Sequence, residues 1–177
     1  MKGRSRMLKG SLKLLCAKAI KLGAGEAKII KASTIKTAAW VRRKCQFGCS
    51  GFGECLDCPP YSPTPEETQK VLDCYKKAIL IHCPRGAKRD ISKIVVELER
   101  EVFLSGFYKA FAMGAGPCRL CPVCGLEKGC RHPEEARPSM EACGIDVYQT
   151  ARSNGFKIEV VKTLRDKANH FAVVLIE

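Results

Sequence analysis

Apolar residues Leu8, Leu12, Leu15, Ala19 and Leu22 recur at three- and four-residue steps through MLKGSLKLLCAKAIKL. That period predicts an amphipathic helix over residues 7–22, stopped by Gly23 and Gly25. A short strand is expected over 27–30. Residues 33–44 are ambiguous, with Trp40 and Val41 reading as a strand that leads into the first cysteines. The four prolines of CPPYSPTPEE exclude a helix interior and a central strand. Thr64-Pro65-Glu66-Glu67 then has the form of a helix start: a capping hydroxyl, a proline at the first helical position, and a glutamate able to close a capping box. This helix carries Val71, Leu72, Tyr75 and Ile79 on one side and ends near Lys77, where the run AILI opens a strand. His82-Cys83-Pro84-Arg85-Gly86 reads as a connection.

Asp90 or Ser92 can cap a long helix that turns Ile91, Ile94, Val95, Leu98 and Val102 inward. It runs on, past a break near Gly106, towards Gly114-Ala115-Gly116-Pro117. A further helix is expected over 139–152, with Met140, Cys143, Val147 and Ala151 as its stripe and Asn154-Gly155 as its end. Residues 157–161 and 171–176 read as closing strands that could form a hairpin around 163–169. The alternation predicts an α/β fold: one domain over 1–177, a small mixed sheet with packed helices, and two cysteine-rich metal-binding excursions at 45–61 and 117–133.

A chain of 177 residues with 46% hydrophobic and 28% charged residues can build an ordinary core. Its twelve cysteines are what sets it apart. Lysines interrupt every apolar run near the N terminus, so neither a secretion signal nor a membrane span is expected. In a cytoplasmic protein, such a cysteine load points to metal rather than disulfides. The formal charge of +13 would attract nucleic acid, an acidic redox partner protein or an anionic substrate. Nucleic acid is the weaker of these, because the aromatic residues do not interleave with the basic ones as on an RNA-stacking face.

The cysteines form two groups. Cys45, Cys49, Cys55 and Cys58 lie in KCQFGCSGFGECLDCPPY, and Cys118, Cys121, Cys124 and Cys130 lie in CRLCPVCGLEKGCRHP. Each group has enough thiols for one tetrahedral or cubane site. The second opens like a bacterial ferredoxin run but departs from it at the wider last gap. Three thiols at two-residue spacing favour one or two [4Fe-4S] clusters. The alternative is zinc, with CPVCG as a knuckle and Cys55 and Cys58 as its partners, in a structural or nucleic-acid-binding module. Cross-ligation between the groups is open, and Cys58 and Cys130, each the last of its group, are the expected exchangers. Cys16, Cys74 and Cys143 read as buried small hydrophobes. Cys83 is a candidate ligand or reactive thiol, and His132 a candidate ligand or cluster-tuning group. His82 and His170 read as structural, and Tyr75 and Tyr108 as helix-face packing. Gly114-Ala115-Gly116-Pro117 reads as a tight turn or an anion site.

The run KCQFGCSGFGECLDCPPYSPTPEETQKVLDCYKKAILI, followed by GPCRLCPVCGLEKGCRHPEEARPSMEA, resembles domain-of-unknown-function family 2284, described as predicted metal-binding proteins. The resemblance extends from about Ala27 to the C terminus. Cys45, Cys49 and Cys58 carry it in the first group, and Cys118, Cys121, Cys124 and Cys130 in the second. It implies metal binding and supplies no reaction. The expectation is an iron–sulfur protein acting in electron transfer or redox chemistry. A redox enzyme and an accessory carrier both remain open.

Overall fold

The computed structural model describes residues 2–84, 86–87, 89–163, 165–166 and 168–177, with side chains from residue 12 onward. The predicted inward position Leu8 therefore lies outside the described side chains. Arg85 of the expected connection, and Leu164 and Lys167 of the expected hairpin loop, lie outside the described residues. The elements run α1 (Lys2–Lys21), β1 (Glu26–Lys31), a short 3-10 turn (Ala32–Thr34), α2 (Ala39–Gly48), α3 (Pro65–Leu72), β2 (Lys77–Pro84), α4 (Ile91–Leu104), β3 (Phe111–Met113), α5 (Val147–Ser153) and β4 (Asn169–Leu175). None of the described helices is long and apolar enough to cross a membrane.

The α/β class is as expected. The sheet has four strands in the order β1-β2-β4-β3, and every ladder in it is antiparallel. Its two central strands are covered on both faces, which explains why AILI and FAVVLI read as unbroken apolar runs. Ile79, Ile81 and Cys83 of β2, with Ala172 and Val174 of β4, pack on Leu12, Leu15 and Ala19 of α1 and on Ile94, Val95, Leu98 and Val102 of α4. The alternate residues Ala78, Leu80, Phe171, Val173 and Leu175 face the other way. They pack on Leu72 of α3, Ala151 of α5, and the irregular residues Ile35, Met140, Ile145, Phe156 and Ile158. This second layer is only partly helical, and the cysteine segments are hung from it.

Local signals hold where they are self-contained. Thr64 and Glu67 form a reciprocal capping box, with Glu67 N donating to Thr64 Oγ1 (3.2 Å) and Thr64 N to Glu67 Oε2 (2.8 Å). Thr64→Ala should lower stability by about 1 kcal/mol, measurable as a fall in the urea midpoint at unchanged slope. Asp90 caps α4 through a bond from Ser92 N (2.8 Å), and the five predicted inward residues of α4 are all buried.

Five expectations are corrected. Trp40 and Val41 lie in helix α2, not a strand. Ala39, Arg42, Arg43, Lys44 and Gln46 are good helix formers, and Val41 with Cys45 supplies the i, i+4 inward pair. The helix begun at Pro65 ends at Leu72, and β2 takes in His82, Cys83 and Pro84, which had read as a connection. The long helix stops at Leu104 and is followed by the short edge strand β3. Residues 139–146 are turns rather than helix, because Gly144 takes φ +73° and starts α5 only after Asp146. Residues 157–161 form no ladder and no hairpin with β4. Phe156 and Ile158 are buried, packed into the core with Phe171 and Val173 rather than paired along a strand.

Candidate metal centre

The first cysteine segment leaves the end of α2. Cys45 sits on the half-buried side of the helix and Cys49 is its extended C-cap. The chain then coils on itself. Gly53 N donates to Pro59 O (2.7 Å), Cys58 N to Cys55 O (2.9 Å), and Tyr61 N and Ser62 N both to Cys58 O (3.0 and 3.1 Å). Gly53, at φ +77°, permits the reversal. One guanidinium fixes this coil to the body: Arg42 NH1 donates to Ser62 O (3.1 Å), Ser62 Oγ (2.9 Å), Pro63 O (2.9 Å) and Ala142 O (2.9 Å).

The second segment is a loop leaving β3 and returning at Ser139. Gly114 N to Pro138 O (2.8 Å) and Met140 N to Gly114 O (3.0 Å) close its base. Above the base, Arg137 makes a two-pronged ion pair with Glu99 of α4, at 2.6 and 3.0 Å. Their side chains are only 18% and 13% exposed, so loss of one partner strands a charge away from water. Arg137→Ala should cost roughly 3 kcal/mol and release the loop, read as faster hydrogen exchange over 115–138. Glu99→Gln should cost less. At the loop tip, a Cβ on Gly125 would stand 2.8 Å from Gly129 O, so the turn that returns Cys130 towards Cys124 requires glycine.

The two segments meet. A cavity of about 20 Å³ is lined by Cys55, Cys118, Cys121, Cys124 and Cys130, with Asp57 in its wall. Cys55 Sγ approaches Cys118 O (3.9 Å), and Leu56 N donates to Cys124 Sγ (3.4 Å). Two more amides point at sulfur, Gly51 N to Cys49 Sγ and His132 N to Cys130 Sγ, each at 3.4 Å. Cys58 has Cys55, Cys49 and Cys45 as its thiol neighbours. The thiol of the first group that lines the cavity of the second is Cys55.

The electrostatics of this arrangement ask for a cation. Burial, then the neighbouring Cys55, Cys49, Asp57 and Cys45, push the Cys58 thiol up to about 12. Burial likewise raises Cys45, Cys55 and Cys118. Two carboxylates stand among them, both raised chiefly by burial: Asp57 beside Cys118, and Glu141 near Cys45. Asp57 Oδ2 and Glu141 Oε2 are buried with no hydrogen-bond partner. Crowded thiols and orphaned carboxylate oxygens of this kind are stabilised by a bound metal, whose charge favours the deprotonated sulfurs. The donor set therefore fits a thiophilic metal group.

Of the remaining candidates, His132 lines the cavity beside Cys130, and the other cysteines separate from it. Cys143 is buried in the core beneath α3 and Cys83 in the core of β2, and Cys16 packs partly buried against α1's core. Cys74 is exposed rather than buried, its thiol donating to Lys70 O (3.4 Å), because α3 ends before it. Tyr108 is exposed too, since α4 stops short of it; Tyr75 packs against the core from the loop after α3 rather than from a helix face, and donates to Lys109 O (2.7 Å). His82 is structural, bonded to Asn169 Oδ1 (2.8 Å) and stacked on Phe171. Gly114 is part of the loop base. Among the described residues, His132, Glu134 and Glu135 bring three donor atoms within 4.8 Å of one another. The HPEE sequence was a usable signal for this trio, overshadowed by the cysteines. An open cleft of about 1070 Å³ between α4 and the second loop runs from Cys83 and His170 to Cys118. It is built from distant segments and leaves no trace in local sequence.

An antiparallel α/β body holding thiols from two distant loops against one another defines a thiol-rich metal-binding protein. The chain belongs to the family of predicted metal-binding proteins designated DUF2284, whose model matches residues 28–176. No curated protein and no solved structure matches it.

Proposed function

We propose that this protein binds iron–sulfur clusters through the eight grouped cysteines and serves in electron transfer or redox chemistry. The observation that carries this reading is the meeting of the two thiol segments around sulfur-lined space, with three backbone amides directed at sulfur. A tetrahedral zinc site with bonds of about 2.3 Å would draw its sulfurs to within roughly 4 Å of one another. Among the described residues no three cysteine sulfurs lie within 4.8 Å of each other. A cubane spreads its thiolates more widely, because each binds a different iron corner. When bound, such a cluster supplies one-electron transfer.

The chain's own groups set the conditions. The thiolates hold the irons. The amides of Gly51, Leu56 and His132 stabilise charge on sulfur and so raise the reduction potential. The second loop shields Cys118, Cys121 and Cys124, which are half-buried. Two [4Fe-4S] clusters would lower the formal charge from +13 to about +9, still suited to steering an acidic redox partner. The reading places the protein in a reducing compartment such as the cytoplasm, where the thiols stay available.

The test is anaerobic purification with iron, sulfide and zinc assays and a visible spectrum. Equimolar iron and sulfide with a broad visible absorption is expected. A colourless protein with stoichiometric zinc and no sulfide would overturn the proposal.

A further inference from the structure

The fold does not divide the eight thiols as the sequence spaces them. Cys55 belongs to the cavity of the second loop: its sulfur lines that cavity with Cys118, Cys121, Cys124 and Cys130, and the amide after it bonds Cys124. Cys58 N also donates to Cys55 O (2.9 Å), so Cys55 stands at the seam of the two centres. On the other side of the seam, Cys49 and Cys58 face one another across Gly51. A Cβ built on that glycine would lie 3.6 Å from Cys49 Sγ and 3.9 Å from Cys58 Sγ. Cys45 is one helical turn before Cys49 and lies on the same side. The first group thus supplies three thiols to its own centre, while five line the second.

No other cysteine can complete the smaller set. Cys143 is 2% exposed and packs in the core with Leu72 and Met140. Cys16 and Cys83 pack on the opposite face of the sheet. Cys74 is bonded to Lys70 O. The three-thiol side reaches solvent at Cys49, with Cys58 buried behind it. Phe47, Gly48, Cys49 and Ser50 are all exposed, and the exposed cations Arg43 and Lys44 lie alongside on α2.

We propose that Cys45, Cys49 and Cys58 form a three-thiolate centre whose cluster keeps one iron without a cysteine ligand, open to a small anionic ligand such as a substrate carboxylate or thiolate. This rests on the iron–sulfur reading above. The unligated iron is a Lewis acid reached from solvent, and the cations of α2 favour an anion there. It is also the iron that leaves first on oxidation. The balance is [4Fe-4S]²⁺ → [3Fe-4S]⁺ + Fe²⁺ + e⁻, with added ferricyanide taking the electron.

The test uses the full chain, purified anaerobically and first assayed for iron, sulfide and zinc. Zinc without sulfide would overturn the underlying reading and this one with it, before any ferricyanide is added. With clusters present, ferricyanide should release one iron per chain and produce the spin-resonance signal of a three-iron cluster. Cyanide added to reduced protein should shift the signal of one cluster only. Cys55→Ala should keep the full iron content and the same labile iron, because four thiols remain around the second cavity. Cys58→Ala should halve the iron and abolish the labile fraction, with circular dichroism confirming the fold. If wild-type protein resists both reagents and Cys55→Ala becomes sensitive, Cys55 is the fourth ligand of the first centre and the proposal fails.

Discussion

Replacing Gly144 with alanine should destabilise the protein by at least about 3 kcal/mol, enough to leave a large unfolded fraction at moderate urea. Gly144 takes φ +73°, a conformation that L side chains adopt at a cost of roughly 1–2 kcal/mol. The space is also filled. An added Cβ would overlap Pro65 Cγ and stand 2.9 Å from Pro65 Cβ and 3.1 Å from Pro65 Cα. Pro65 is buried at the first position of α3, and its ring has no rotamer into which to retreat. Gly144 cannot move either, because Ala38 N donates to its carbonyl (2.8 Å) and its own N–H donates to Glu141 O (2.9 Å). A shift here would disturb the entry to α2 and the turn carrying Glu141 together. Urea denaturation of Gly144→Ala alone and in a Pro65→Gly background separates the two causes. The cycle should return most of the cost to the clash, leaving the backbone part of about 1 kcal/mol. Equal costs in both backgrounds would show that Pro65 is not the obstacle.

Arg42→Ala should be the second most damaging change, and its effect should concentrate on the first cysteine coil. The side chain is half-buried, and its NH1 serves Ser62 O, Ser62 Oγ, Pro63 O and Ala142 O. Alanine leaves those carbonyls short of a charged donor in a site with little water. The expected cost is about 2–4 kcal/mol. Ser62 Oγ still donates to Ala142 O (2.8 Å), so the coil should loosen rather than detach. Cys58, buried in wild-type protein, should then alkylate several-fold faster in the metal-free chain, while Cys121 and Cys124 keep their rates. Lysine at position 42 should restore part of the stability, since an ammonium can reach some of the same oxygens but lacks the planar fork. Uniform acceleration at every cysteine would indicate global unfolding instead.

Both variants act on contacts that no local pattern announces, and the same division runs through the molecule. The caps at Thr64 and Asp90, the inward stripe of α4, the end of α5 at Asn154-Gly155 and the apolar runs of β2 and β4 were legible, because each depends on residues within a turn or two of one another. The strand expected at Trp40 failed because two β-favouring residues outweighed the i, i+4 pair of Val41 and Cys45. The helix expected over 139–152 forms only from Val147 onward, because apolar spacing persists through turns when the residues face a core. Residues 157–161 alternate like a strand, but Phe156 and Ile158 pack into the core and the segment joins no ladder.

For the candidate site, the sequence by itself determined the candidate donors: eight thiols in two segments, whose glycines and prolines keep most of them out of regular structure. It also determined the chemical class, since clustered thiols at metal-ligand spacing point to metal. Only the tertiary structure decided which thiols share a space. That depends on where β3 and α2 deliver their loops, on Arg42 and Arg137 as distant anchors, and on the turn at Gly144 that sets one segment against the other. Spacing along a chain limits which sulfurs can meet within one loop, but it carries no information about a sulfur arriving from another loop. Cys55 is the case in point: three positions from Cys58 in sequence, it lines the cavity of Cys118, Cys121, Cys124 and Cys130, because the long-range packing of the two segments, rather than their spacing, fixes where its side chain ends.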